Sequence, residues 1–393
     1  MNKTIFRENI PGTRLVIAVV ILWPFYFSCT AQTSPYSFLE PAPGSPISME
    51  CSPGNLAVGD LNNDGIPDLV LACGQTRSLI IYKGIGNGKF DKAAGSPLVL
   101  PSPPNEIVIG DMNTDGHADL TVGSHDSYSV LILTDDGNGN FIIQPNSSVT
   151  MRAGSHPHTH GLGIGDLNSD GYIDIVTANS SDNDISVMLN SGRGGFIPAA
   201  GSPFIVSPAP YPLTIGDVNS DKHLDIVSTS TNSSNGTLSI LLGDGRGQFL
   251  RKDLRLRTPN PWFVAIGDIN KDRIPDLVAT HSERSELTVL LGSVSGQFTE
   301  VSASPFNLGS SAWHVAIADL DRDSNPDVVA AANNRLQVMR GDGLGGFVSA
   351  PGSTILTGKG TWHLAFSDLN GDGKPDVVTS NLESNNISVL LGK

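Results

Sequence analysis

Seven short acidic segments carry side chains that are typical metal ligands. Each segment is nine residues long and has Asp or Asn at positions 1, 3, 5 and 9, and its first Asp recurs every 49 to 55 residues. Oxygen donors at alternate positions, with a backbone carbonyl expected at position 7, suit the six- or seven-oxygen shell of Ca²⁺ better than Mg²⁺, which gives up water less readily. The candidate ligands are Asp60, Asn62, Asp64, Asp68; Asp111, Asn113, Asp115, Asp119; Asp166, Asn168, Asp170, Asp174; Asp217, Asn219, Asp221, Asp225; Asp268, Asn270, Asp272, Asp276; Asp319, Asp321, Asp323, Asp327; and Asp368, Asn370, Asp372, Asp376.

The charge of the chain supports metal binding by these segments. The formal net charge is −15, and more than half of the 39 acidic side chains lie in the seven segments. Carboxylates that lie this close together repel one another unless a cation neutralises them. An EF-hand shares the opening Asp-x-Asn-x-Asp-Gly pattern but requires a bidentate Glu at position 12, which is absent from all seven segments. The sequence therefore predicts up to seven structural Ca²⁺ ions in loops of another kind.

The residue at position 6 of each segment should form a sharp turn with a positive φ angle. Gly occupies this position in the first, second, third and seventh segments, whereas Lys222, Arg273 and Ser324 occupy it in the fourth, fifth and sixth. A left-handed conformation costs a residue other than Gly about 1 kcal/mol, and Lys or Arg also adds a nearby positive charge. We expect these three loops to bind calcium more weakly, with Asp321 partly compensating in the sixth.

The acidic segments belong to a repeat of about 50 residues. Each unit opens with an alternating apolar strand, such as Leu56–Gly59, that leads into the acidic loop. Two more apolar strands follow, then a Gly-x-Gly-x-Phe turn and a short fourth strand; the fifth unit departs from this pattern, with Val294 in place of the first Gly. Seven such units without a helical period predict an all-β fold, a seven-bladed β-propeller of four-stranded blades.

The two ends of the chain predict how the ring closes. The seventh unit stops at Lys393, before its Gly-x-Gly-x-Phe turn, and the missing piece resembles the segment 38–46, which matches 90–97 and 196–203. An N-terminal strand that completes the last blade would hide both open sheet edges. We therefore expect the propeller to be closed by this strand.

The acidic loops and the Gly-x-Gly-x-Phe turns together resemble FG-GAP/VCBS repeats, whose propellers are similar to the N-terminal domain of integrin α chains. The resemblance covers about residues 36–393, nearly the whole chain after its first 35 residues. It implies structural calcium in hairpin loops on one face of the propeller. It also implies adhesion or ligand binding as the usual activity, without specifying the ligand.

The segments that enter the first strand of each blade should line the mouth of the central channel, on the face opposite the calcium loops. Every Trp beyond the first 31 residues stands at one repeat position, six residues before the first Asp of its loop. One interpretation is an aromatic rim that binds sugar rings or apolar side chains; the other is that the residues pack as core between blades. The candidate ligand-binding residues are His160, Tyr211, Trp262, Trp313, His314, Trp362 and His363.

An enzymatic alternative to a non-enzymatic binding module uses residues at the same mouth. Glu106, His314 and His363 are the candidates for a calcium-dependent polysaccharide lyase or hydrolase. Ser124, His125 and Asp126 have the residue types of a catalytic triad, but neighbours on a strand point to opposite faces. The chain has no Gly-x-Ser-x-Gly, P-loop or His-Glu-x-x-His motif, so no catalytic residue is assigned.

Three histidines alternate ahead of the third acidic loop. His156, His158 and His160 would all point to one side of an extended segment, as a transition-metal site requires. The other interpretation is a loop with polar decoration. Both remain open at the level of the sequence.

The first 31 residues have the features of a signal peptide, which leaves 32–393 as a single propeller domain. Basic residues precede an apolar stretch at 15–27 that is short for a membrane span, and a small-x-Ala sequence ends at Ala31. A lipid anchor on Cys29 is the alternative to secretion. Cys51 and Cys73 then form either one disulfide, which an oxidising compartment permits, or two buried thiols. We expect a monomer without a transmembrane span that binds an extracellular glycan or protein and no nucleic acid.

Overall fold

A computed structural model describes residues 38–231 and 236–393 of the chain. The predicted signal peptide and Cys29 lie outside these residues. The described part consists of β-strands and one short 3₁₀ helix, Gly74–Thr76, and none of its helices is long and apolar enough to cross a membrane. The strands form seven sheets with antiparallel pairing throughout, which confirms the predicted all-β propeller of seven blades.

Each blade has four strand positions, counted from the channel outwards. The first strands are Leu56–Gly59, Glu106–Gly110, Thr159–Gly165, Pro210–Gly216, Pro261–Gly267, His314–Ala318 and Thr361–Ser367. The second strands are Asp68–Cys73, Asp119–Gly123, Asp174–Asn179, Asp225–Ser230, Asp276–His281, Asp327–Ala332 and Asp376–Asn381. The third strands are Ser78–Gly84, Ser129–Asp135, Asp184–Asn190, Thr237–Gly243, Glu286–Leu291, Arg335–Gly341 and Asn386–Gly392. The fourth strands, mostly in two pieces, are Phe90–Lys92 with Leu98–Val99, Phe141–Ile142 with Ser148–Thr150, Phe196–Pro198 with Phe204–Ile205, Phe249–Arg255, Thr299–Glu300 with Phe306–Asn307, Phe347–Val348 with Thr354–Leu356, and Leu39–Pro41 with Ile47–Ser48.

The core lies between neighbouring blades. The second strands are buried along their whole length, because both faces of a blade pack against the next sheet. Val70 and Leu79 of the first blade, for example, pack with Ile107, Leu120 and Leu133 of the second. The first strands of successive blades contact one another around the channel, and the first strand of blade 1 contacts that of blade 7. The ring is therefore closed.

The N-terminal strand completes the last blade, as the sequence predicted. Leu39 pairs with Gly392 and Pro41 with Leu390, and Ile47 pairs with Ile387 further along the same third strand. Between these two pieces the Ser45 hydroxyl accepts a hydrogen bond from the Val389 amide at 2.9 Å.

A Ser-Pro pair occurs at the same interruption of the fourth strand in four blades. The hydroxyls of Ser96, Ser202 and Ser304 accept a hydrogen bond from the third-strand amide, as that of Ser45 does. The side chain thus satisfies a donor that the broken strand leaves without a backbone partner. This explains why the Gly-Ser-Pro sequence recurs, including at the N-terminus.

The two cysteines of the described chain are joined. Cys51 precedes the first strand of blade 1, Cys73 ends its second strand, and a disulfide connects them. Both side chains are buried in the cluster between blades 7 and 1. Of the two alternatives left open by the sequence, the structure therefore has the disulfide.

Candidate functional site

Each acidic loop is folded around the carboxylate of its first Asp. In the third loop, the amides of Asp170 and Gly171 donate to the two oxygens of Asp166 at 3.0 and 2.9 Å. The Asn168 carbonyl oxygen accepts from the Asp170 amide, and the Asp170 carboxylate accepts from the Tyr172 amide at 3.0 Å. The side chains at positions 1, 3 and 5 therefore turn towards the interior of the loop. This all-oxygen donor set, with its carboxylates, fits Ca²⁺.

Position 6 has the left-handed conformation that the sequence predicted, in all seven loops. Its φ angle is 87° at Gly171 and 75° at Gly373, and it is 72° at Lys222, 70° at Arg273 and 67° at Ser324. The fourth to sixth loops thus adopt the same turn as the others in spite of its strain.

Position 4 is also left-handed, which the sequence analysis missed. Its φ angles lie close to 60° at Asn63, Thr114, Ser169, Ser220, Lys271 and Arg322, and the angle is 74° at Gly371. The varied residue types at this position carry no glycine signal, so the pattern alone could not reveal it.

The Asp at position 9 connects the loop to the rest of its blade. Asp174 is fully buried, and its two oxygens accept hydrogen bonds from the amide of Leu167 in the loop, at 2.9 Å, and of Asn190 at the end of the third strand, at 2.8 Å. The same pair of bonds recurs in every blade. Burial raises the pKa of Asp119, Asp174, Asp225 and Asp327 to about 6, against the lowering effect of these bonds. Position 9 therefore has a structural role in addition to its predicted role as a ligand.

The sixth loop contains a cation from the chain itself. The guanidinium of Arg340 contacts Asp321 at 2.7 Å and Asp323 at 2.9 Å. Asp319, Asp321 and Asp327 also form a three-carboxylate cluster. The repeat position of Arg340 is Leu in blades 3, 4, 5 and 7, so an Arg there was a signal that the sequence analysis overlooked.

The aromatic residues at the start of the first strands converge on the channel. The rings of Tyr211 and Trp262 lie 4.5 Å apart, those of Trp262 and Trp313 5.0 Å, and those of Trp313 and Trp362 5.3 Å between centroids. Trp262 and Trp362 belong to blades that are not neighbours, yet their rings are 6.2 Å apart. The side chains therefore point to the channel axis rather than between adjacent blades, and all of them stay partly exposed.

Polar side chains complete this mouth on the side of blades 1 and 2. The Trp362 indole donates to the Asn55 carbonyl oxygen at 3.0 Å, and the Asn55 amide donates to Glu106. Burial raises the pKa of Glu106 to about 7, although Asn55 and the Gly161 amide hydrogen-bond to its carboxylate. These residues and the aromatic ring line one cavity of about 200 Å³. We call it the mouth cavity.

Two of the predicted ligand-binding histidines lie deeper in the mouth cavity. His314 and His363 both line it, with ring centroids 4.0 Å apart, and each has a buried Nδ1 without a hydrogen-bond partner. Burial lowers the pKa of His363 to about 4 and that of His314 well below its usual range. The structure thus brings together Glu106, His314 and His363, the three candidates for catalysis.

His160 lies at the edge of the aromatic ring and not within the mouth cavity. Its imidazole stacks on Tyr211 with centroids 3.6 Å apart and is 4% exposed. Of the alternating histidines, His158 lies beside it at 4.6 Å, but His156 is exposed because a bend at Ser155 and His156 turns the chain away. The prediction that His156, His158 and His160 point to one side is therefore wrong for His156.

Comparison with known families and structures agrees with this architecture. The FG-GAP-like repeat model matches residues 60–122, 111–176, 166–228, 217–279, 268–330 and 319–379. Crystal structures of BBS1N in complex with ARL6DN, soaked with lead or mercury, are similar over 91% of this chain and 98% of that chain, with TM-scores of 0.62 and 0.63 and identities of 13% and 14%. An Agrocybe aegerita lectin that recognises non-reducing terminal N-acetylglucosamine is similar over 78% of this chain and 85% of its own, with a TM-score of 0.56 and 17% identity. No curated protein matches the chain by sequence.

Proposed function

Because the chain belongs to the FG-GAP-like repeat family, we propose that it is a secreted, calcium-binding β-propeller that acts as a non-enzymatic binding module for a glycan or protein ligand. Similar propellers are found in complex with a protein, ARL6DN, and in a lectin that recognises N-acetylglucosamine, which supports both classes of ligand. The mouth cavity is the proposed binding surface.

The observation that carries the proposal is the composition of the mouth cavity. Three half-buried indoles and the Tyr211 ring offer apolar faces, and Asn55 and Glu106 offer polar atoms beside them. A sugar ring needs this combination, because its C–H face stacks on aromatic rings while its hydroxyls form hydrogen bonds. The cavity of about 200 Å³ is smaller than sites for drug-sized ligands. It therefore suits one sugar ring at the end of a glycan, or one side chain of a protein.

The three tryptophans supply a direct assay for this site. They are the only Trp residues after residue 31 and all line the mouth cavity, so their fluorescence reports on its occupancy. We expect a glycan array to identify a ligand that changes this emission, and Trp313→Ala to weaken binding at least tenfold while the ring stays folded. Tyr172→Ala, on the opposite face of the propeller, is the control and should bind normally. Unchanged binding by Trp313→Ala and Trp362→Ala would refute the site.

The calcium part of the proposal is supported by the seven loops and has its own test. Elemental analysis should find bound calcium, and exhaustive chelation should lower the melting temperature, because the carboxylates of each loop then repel one another. A protein without bound metal whose melt is unchanged by chelation would contradict calcium binding. Its outcome is independent of the ligand assay.

Secretion is supported by the signal-peptide features and by the disulfide, which persists in oxidising compartments. We expect mass spectrometry of the exported protein to find an N-terminus after Ala31. A lipid-modified Cys29 at the N-terminus would instead establish the membrane-anchored alternative.

A calcium-dependent polysaccharide lyase or hydrolase is the second candidate function. It is favoured by the position of Glu106, His314 and His363 in one cavity, and by the raised pKa of Glu106, which suits proton transfer near neutral pH. Acidic and neutral polysaccharides incubated with the calcium-loaded protein should then be cleaved, and Glu106→Gln should abolish cleavage. Binding without turnover would support the non-enzymatic function.

A further inference from the structure

A cluster of three histidines lies beside the aromatic ring and outside both the calcium loops and the mouth cavity. It consists of His125, from the loop between the second and third strands of blade 2, and His158 and His160, at the start of blade 3. One ring nitrogen of each lies within 4.8 Å of the others. The ring centroids are 4.3 to 4.8 Å apart.

We propose that His125, His158 and His160 form a binding site for a transition-metal dication with the ligand preference of Zn²⁺. Imidazole nitrogen is a preferred ligand of such ions, and three histidines leave a fourth position for water or another ligand. Zn–N bonds of about 2.1 Å place tetrahedral ligands about 3.4 Å apart, so the rings need to approach by about 1 Å.

The buried member of the cluster has an unsatisfied donor atom. The His160 side chain is 4% exposed, and its Nε2 has no hydrogen-bond partner. A buried polar atom without a partner costs free energy, and a metal ion at this position would remove that cost. The stacking of His160 on Tyr211 holds the ring in place.

The exposed member is oriented by a carboxylate. Asp126 Oδ1 lies 2.5 Å from His125 Nδ1, which leaves Nε2 of His125 for the metal. A carboxylate on the distal nitrogen is the usual partner of a metal-binding histidine, since it sets the tautomer and the direction of the ring. The strand alternation considered from the sequence did not include this residue pair.

Two hydrogen bonds hold the two segments of the cluster together. The Thr159 amide donates to the His125 carbonyl oxygen at 3.1 Å, and the Thr159 hydroxyl donates to the Ser127 carbonyl oxygen at 3.0 Å. The loop of blade 2 is thereby attached to the residue between His158 and His160. The three ligands are thus positioned before any metal binds, which reduces the ordering cost of binding.

The test measures Zn²⁺ and Co²⁺ binding to the full, calcium-saturated protein, so that the acidic loops are already occupied. We expect one equivalent of Zn²⁺ in competition with a chromophoric chelator, and a Co²⁺ complex with the absorption bands of nitrogen ligation. His125→Gln and His158→Gln should each weaken binding by more than 100-fold, and Asp126→Asn by about 10- to 100-fold.

His156→Gln is the matched control, because it removes an exposed histidine from the same segment but outside the cluster. It should bind Zn²⁺ within twofold of the parent protein. The variants change partly exposed residues, and their calcium-loaded melting curves verify folding. Failure of the parent protein to bind Zn²⁺, or equal affinity in His125→Gln, His158→Gln and His156→Gln, would overturn the proposal.

Discussion

Gly171 permits a direct measurement of the strain in the acidic loops. Its φ angle is 87°, and a Cβ atom added to it would meet no atom within 4 Å. Gly171→Ala therefore tests the backbone conformation alone. The left-handed conformation costs Ala about 1–2 kcal/mol, whereas the loss of unfolded-state freedom returns about 0.4–1 kcal/mol. The net effect is a destabilisation of about 0.5–1 kcal/mol.

Gly195→Ala in the same blade is the matched control. Gly195 is exposed, lies outside the left-handed region, and its added Cβ would make only an ordinary contact with Ser191. This variant should gain about 0.4–1 kcal/mol from the unfolded state. The two variants should thus differ by about 1–2 kcal/mol. At about 2.1 cal/mol/K per residue of unfolding entropy, that corresponds to roughly 1–3 °C in Tm for a ring of this size.

The assay is denaturant unfolding and scanning calorimetry of both variants, with calcium and after chelation. Because the fourth to sixth loops adopt the same turn with Lys222, Arg273 and Ser324, the turn belongs to the fold itself. The difference between the variants should therefore persist without calcium, and Lys222→Gly should stabilise the protein by about 0.5–1 kcal/mol. Equal stability of Gly171→Ala and Gly195→Ala would refute the reasoning.

Three further predictions follow from particular contacts. Arg340→Leu, which installs the residue of four other blades, should tighten calcium binding by the sixth loop roughly tenfold in a calorimetric titration, because about 1–2 kcal/mol of competing ion pairs with Asp321 and Asp323 is removed; an unchanged affinity would show that Arg340 does not compete. Removal of residues 32–48 should abolish the cooperative melt or cause association through the open edge of the last blade, since the buried Leu39 and its pairing with Gly392 are lost, whereas removal of 32–37 should have little effect. Reduction of the Cys51–Cys73 disulfide, followed by alkylation and detected by the mass increase, should cost about 3 kcal/mol of stability in denaturant unfolding; a protein that gains no additional mass after reduction would lack the bond.

The repeat carried most of the fold. The period of the acidic loops, the turn glycines and the displaced segment at 38–46 were sufficient to predict seven blades and their closure, because each of these features is local in sequence. The left-handed turn at position 6 was predictable for the same reason. The second left-handed residue at position 4 was not, because residues as different as Thr114 and Lys271 occupy it.

The sequence alone thus determined which residues repeat, and so the fold and the candidate calcium ligands. Only the tertiary structure decided which residues of different strands and blades meet: Arg340 enters the sixth loop, the tryptophans converge on the channel, and His125 replaces His156 beside His158 and His160. The physical reason is that a repeat specifies each blade through neighbouring residues, whereas these contacts depend on how strands pair and how blades pack around the ring.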